Sequence, residues 1–256
     1  MAWSAVRAAE HQDTQRGLMG ALLRDLAALW GIITLGDFGR TVPQWQAAAT
    51  VAVNRYALAA STLASDYYSE EREDAAVGGL FVPDLVEVPD DKSAASLRWA
   101  LKDLWIPEQE GPPPIELRLD AAQVKADGAA EKLVADAARE TIVGAVRADP
   151  EARGWVRQAA LGACSFCKLM AIRGPVYSDA GAAGGDANAR FEGGGEFKFH
   201  DHCNCHAAPI FGGQTWTPRP EVREWARLYE ESTKDAASGG AAARNAFRRA
   251  LAAAES

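Results

Sequence analysis

Seven of the side chains best suited to holding a transition metal lie in two short stretches of this sequence. "CSFC" places Cys164 and Cys167 in a C-x-x-C pair, a spacing at which two thiolates from one turn reach the same ion. After 32 intervening residues, "HDHCNCH" supplies His200, Cys203 and Cys205 in H-x-x-C-x-C order, with His202 and His206 alongside. These stretches hold all four cysteines and three of the four histidines. Zinc takes four sulfur and nitrogen ligands in a tetrahedron, so the five candidates Cys164, Cys167, His200, Cys203 and Cys205 exceed one ion's need. Cys164, Cys167 and Cys203 form the shared set, and the fourth ligand is either His200 or Cys205. His200 and Cys203, three apart around a turn, have the spacing of a zinc knuckle. Cys203 and Cys205 could share an ion only through a suitably bent backbone. Three thiolates with a neutral imidazole also leave less negative charge than four thiolates, which tips the preference to His200.

Other uses of the same residues fit less well. A redox C-x-x-C pair needs a thioredoxin-like βαβ setting, and "GWVRQAALGACSFC" offers none. Disulfides are disfavoured because "MAWSAVRAAEHQDTQ" lacks the apolar core of an export signal, which points to synthesis in a reducing cytoplasm. Catalytic zinc requires an open position and a nearby acid or base. Glu196 and Asp201 are near in sequence, but nothing marks either as a base, so the expected zinc is structural and no catalytic residue is assigned. The competing reading is a zinc-dependent nuclease with His202 or His206 as base, or a zinc-bearing DNA-binding module. "DAGAAGGDANARFEGGGE" lacks the G-K-[ST] ending of a phosphate loop and reads as a flexible connection. The lone His11 reads as a solvated surface residue.

The elements that must position these ligands are mainly helical. Apolar residues step by three and four through Leu18, Leu22, Leu26, Leu29 and Ile33, and again from Trp45 to Tyr67. Together they predict an αα-hairpin, its second helix capped by Thr41 with Pro43 in the first turn. "GGLFVPDLVEVPDD" reads as a loop or edge strand because Pro83 and Pro89 interrupt it. A third helix follows Asp90 or Asp91, and "IPEQEGPPPIEL" is the clearest linker. A long helix over "LDAAQVKADGAAEKLVADAARETIVGAVRADP" and a short one from Trp155 to Leu161 lead to the first cysteines. Beyond the second stretch come an amphipathic helix after Thr217 and a frayed last helix carrying Arg244, Arg248 and Arg249, the best candidates for touching nucleic acid. Trp45, Trp99, Trp105, Trp155 and Trp225 are assigned to packing. The expected architecture is mainly α with a small zinc-stapled β element: a helical domain 1–110, a metal domain 111–212 and a helical extension 213–256.

Charge narrows the partners. The net charge is -8, with 14 basic and 23 acidic residues in 1–150 (net -9) against 13 and 12 in 151–256 (net +1). This balance argues against a global polyanion-binding surface and leaves local basic patches open. The most apolar run is broken by Arg24 and Asp25, so no membrane span is expected.

The order C-x-x-C, "GPVYS" strand, glycine-rich insertion and H-x-x-C-x-C running into "AAPIF", behind a long helix, resembles the phage Mu protein F-like family of minor head proteins. The likeness covers roughly residues 115–211, and "HDHCNC" stands where the family commonly has H-P-x-C-R-C. The resemblance implies a helical unit closed by a zinc-bound β element, with metal positions at Cys164, Cys167, His200, Cys203 and Cys205. It also implies a non-enzymatic minor capsid protein inside the virion head at the portal vertex. The partners it implies are the portal protein, the major capsid protein or both, with packaged DNA as a further contact.

Overall fold

A computed structural model describes residues 3–160, 162–175, 203, 205–234 and 240–254. Helix α1 (Ala5–Trp30) and helix α2 (Phe38–Asp74) form the expected hairpin. Ser4 caps α1 by accepting a hydrogen bond from the Arg7 amide at 3.2 Å. Helix α2 starts one turn earlier than Thr41. Its N-cap is Asp37, and the Thr41 hydroxyl instead accepts from the Thr34 amide and donates to the Asp37 carbonyl. Pro43 consequently lies inside the helix, where the hydrophobic pattern had no means of locating the true first turn.

Helix α3 (Asp90–Ala100) leads through 3₁₀ turns at Lys102–Trp105 and Glu108–Glu110 into helix α4 (Ile115–Ala148). At 34 residues and roughly 1.5 Å per residue, α4 is about 50 Å long and runs beside α2. Both helices meet through small side chains, among them Ala57, Ala60 and Ala64 from α2 and Ala126, Ala130 and Ala137 from α4, all buried. Helix α4 also touches α1, α3 and both strands, so it is the axis of the molecule. The linker expected at residue 110 falls just ahead of α4, and the apolar core is continuous across it, from Trp3 to Leu251.

Residues 152–158 form a strand rather than the expected short helix. Strand β1 (Ala152–Gln158) pairs antiparallel with strand β2 (His206–Phe211), Gln158 opposite His206 and Ala152 opposite Phe211. Five consecutive β1 residues are buried, so both faces of the strand are covered and no period-two pattern marks it. Helix α5 (Ser165–Ala171) follows. Helix α6 (Pro220–Thr233) and helix α7 (Gly240–Ala254) close over α5. Helix α7 is anchored rather than frayed, because Phe247 is buried edge-on to Tyr229 at 5.4 Å. No helix among the described residues is long and apolar enough to cross a membrane.

Of the five tryptophans assigned to packing, Trp45, Trp155 and Trp225 are in the core, while Trp99 and Trp105 are about half exposed. His11 is not a surface residue. It is buried, stacked on Tyr67 at 4.3 Å and edge-on to His206 at 5.5 Å. It belongs to a polar seam in the hairpin: Arg7 and His11 on α1 face Tyr67 and Glu71 on α2. Glu71 is fully buried and meets Arg7 Nε at 3.6 Å, with no hydrogen bond to either carboxylate oxygen. Burial pushes its carboxyl up to about 7, against the opposing pull of Arg7.

A second buried ion pair organises the far end of α2. Arg72 Nε donates to Asp149 Oδ2 at 2.9 Å, and the Tyr68 hydroxyl donates to the same oxygen at 3.1 Å. The rest of the Arg72 guanidinium gathers the carbonyls of Val77, Gly78 and Gly79. The pair thus ties the end of α4 to the turn after α2.

A carboxyl titrating above its unfolded value binds its proton more tightly in the folded protein, so the stability it lends declines as pH rises from about 4.5 to about 7. Glu71→Gln should therefore flatten that part of the profile and raise the melting temperature at pH 8 relative to wild type, with the difference shrinking toward pH 4.5. Thermal unfolding across that range checks it.

Candidate metal centre

Helix α5 and the residues leading into β2 bring the two cysteine stretches together. Cys164 precedes the first turn of α5 and is exposed, while Cys167 points inward from that turn. In the turn after α5, Gly174 has φ +66, and a Cβ there would meet the Trp216 ring at 2.8 Å, so only glycine fits the turn. The pairing of β2 with β1 carries Cys205 to the core, because His206 is the first residue of the ladder.

The Sγ atoms of Cys167, Cys203 and Cys205 all lie within 4.8 Å of one another, and those of Cys167 and Cys203 are 3.5 Å apart. The Cys164 thiol hydrogen-bonds that of Cys167. Two sulfurs on one tetrahedral zinc, each about 2.3 Å from the ion, stand about 3.8 Å apart. The thiol cluster fits such an ion in both spacing and chemistry. For the fourth position, Cys205 is in the cluster, whereas His200 and His202 lie outside the described residues, as do Glu196 and Asp201.

Two buried arginines hold this cluster, and sequence reasoning missed both. Arg139 of α4 donates from Nε to the Cys205 carbonyl at 2.8 Å and from Nη2 to the Cys203 carbonyl, while Nη1 pairs with Asp136 at 2.7 Å. Its guanidinium therefore fixes the backbone on both sides of Asn204 and orients the two thiols that flank it. Arg157 of β1 points Nη1 at Cys167 Sγ, 3.6 Å away, and sits over the Phe166 ring. Hydrogen bonds from Cys167 and Cys205 hold the Cys203 thiol far below the usual range, and the Arg139 charge adds to this. Hydrogen bonds with Cys164, Cys203 and Cys205 push the Cys167 thiol up, and burial adds to this. The Arg139 charge thus favours a thiolate at Cys203. A signal for Arg139 was present: it occupies the helix stripe Ala135, Arg139, Ile142, Val146, where every neighbour is apolar.

The remaining assignments separate in space. His206 is buried against His11, and burial drives its imidazole well below the ordinary value. Arg244, Arg248 and Arg249 are exposed on α7, outside the buried stripe of Ala243, Phe247 and Leu251.

Arg139→Lys keeps a charge but loses the fork that spans two carbonyls. We expect it to weaken metal retention about 10- to 100-fold, the usual effect of removing an outer support of a ligand. Chelator competition monitored by a zinc dye measures this. An unchanged affinity would show that Arg139 does not position the thiols.

Comparison with known proteins bears on the whole chain. The profile of the VG15 protein family matches residues 2–232. The Gene 15 protein of Mycobacterium phage L5 is 29% identical over 229 residues, covering 75% of this chain and 74% of its own. No solved structure matches. The two matches support a phage protein family, in which the paired strands and the cysteine cluster lie within the shared region. The chain belongs to the VG15 protein family.

Proposed function

We propose that this protein is a structural component of a phage head, of the Mu protein F-like minor head type, stabilised by a zinc staple. The observation that carries this reading is the match over residues 2–232 to the VG15 family, joined by a relative from a mycobacteriophage. The thiol cluster supports the finer part. It lies at the C-x-x-C and C-x-C positions on which the resemblance to Mu protein F-like proteins rests. Zinc held there by Cys164, Cys167 and Cys203, with Cys205 or His200, would supply cross-linking alone, joining α5 to the start of β2 across the long insertion. The helical hairpin of α1 and α2 would supply contact surface for the portal or the major capsid protein at the portal vertex inside the head. Arg244, Arg248 and Arg249 on the exposed side of α7 would meet packaged DNA.

The nuclease alternative has less support. One of its two candidate bases, His206, is an imidazole sealed between His11 and the core. His202, the other candidate base, lies outside the described residues.

Elemental analysis of purified protein should find about one zinc per chain, the content of a single four-ligand site. Cys167→Ser and Cys203→Ser should abolish it, and comparison of Cys205→Ser with His200→Ala identifies the fourth ligand. Absence of zinc from wild type would overturn the staple. For the head assignment, co-expression with the neighbouring portal and capsid proteins followed by sedimentation should place this chain in the particles. Particles that assemble without it, and portal protein that does not retain it, would sink that assignment.

A further inference from the structure

Two physical costs attach to Cys205 as the fourth metal ligand. Thiols two residues apart reach one ion only across a bent backbone, and a fourth thiolate adds a negative charge to a buried site. The packing around the cluster meets both. Cys203 and Cys205 bring their Sγ atoms within 4.8 Å of each other and of Cys167 Sγ. The bend is held from outside, since the Arg139 guanidinium donates to both carbonyls, from Nε to Cys205 at 2.8 Å and from Nη2 to Cys203. Cys205 is 1% exposed, and the next residue, His206, is already paired with Gln158 in the ladder. Its thiol is thereby kept inside with the other two.

Four thiolates on a divalent ion leave two negative charges in excess, one more than three thiolates and an imidazole. Two buried guanidiniums stand at the cluster to offset them, Arg139 at 1% and Arg157 at 3% exposure. Arg157 Nη1 lies 3.6 Å from Cys167 Sγ. Arg139 also pairs with Asp136, but that carboxylate is shared, its other oxygen held by Lys132. A guanidinium stays charged at any pH a protein experiences, so the offset is permanent. Three thiolates and an imidazole beside the same two arginines would leave an excess of positive charge in the core instead.

Cys164 completes the set. It precedes the first turn of α5, and its thiol hydrogen-bonds that of Cys167. Its exposure gives an ion a way in. We propose that the metal is held by four thiolates, Cys164, Cys167, Cys203 and Cys205, that Arg139 and Arg157 balance their excess charge, and that His200 is not a ligand. The assignment rests on the zinc staple proposed above and names its ligands. It reverses the preference for His200 that residue spacing and ligand charge alone produce. An all-sulfur tetrahedron suits zinc and other thiophilic ions, whereas magnesium and calcium need oxygen ligands.

X-ray absorption at the zinc edge, on purified full-length protein, reads the ligand type without any substitution. It should show four sulfur neighbours at about 2.3 Å and no nitrogen at about 2.0 Å. A shell of three sulfurs and one nitrogen overturns the proposal. His200→Ala should leave both this spectrum and the zinc affinity unchanged, and a loss of zinc in that variant would also overturn it. Cys205→Ser should remove one sulfur from the shell and weaken zinc retention by more than about 100-fold, beyond the effect of removing an outer support. Arg157→Gln keeps every ligand but removes a charge, so retention should fall about 10- to 100-fold, with most of it restored in Arg157→Lys. Equal affinity in wild type and Arg157→Gln would overturn the charge balance. Absence of zinc from wild type defeats the staple itself, whereas zinc with a nitrogen neighbour defeats only this choice of ligands.

Discussion

Arg139 stands on a stripe of α4 that is otherwise aliphatic, and a guanidinium there would be costly if its donors were left unmet. They are met by the carbonyls of Cys203 and Cys205 and by Asp136, so the charge is used to hold an irregular segment that has no ladder of its own before β2 begins. The rest follows from that anchor. With the Cys203 and Cys205 backbone fixed, the thiols turn toward Cys167 on α5, and β2 enters the core in register with β1. Because Arg139 belongs to the helix that also packs along α2, the thiol cluster and the helical hairpin share one scaffold.

The molecule places its other buried charges in the same way, at junctions between elements. Arg72 and Asp149 join the end of α4 to the turn after α2, and Arg7 and Glu71 join α1 to α2. Trp3 extends the pattern to the chain's beginning, since its indole donates to the Pro209 carbonyl of β2 at 3.2 Å. Buried ion pairs of this kind contribute little net stability but make misaligned packings expensive, because a shift strands a charge in the core. For helices that meet largely through alanine, whose smooth surfaces set register weakly, polar pins of this sort specify which turn faces which.

Much of this was legible in residue order. The stripe from Trp45 to Tyr67 marked the body of α2, Pro150 marked the stop after α4, and the C-x-x-C and C-x-C spacings marked the thiols that cluster. Those features are local, set by helical period, proline chemistry or the reach of one turn. The failures share a cause of the opposite kind. Strand β1 read as a helix because both its faces are covered, which erases alternation. His11 read as solvated because its burial depends on Tyr67 and His206, 56 and 195 positions away.

The sequence by itself determined the helical class, the position of the candidate metal-binding cysteines and the acidic bias of the first half, since composition, period and spacing are properties of neighbouring residues. Only the tertiary structure decided that Arg139 and Arg157 hold the thiols, that His206 is sealed away, and that His11 is buried against Tyr67. Each of those depends on which distant surface arrives to cover a group or leaves it bare, and burial of that kind is not encoded in the spacing of residues along the chain.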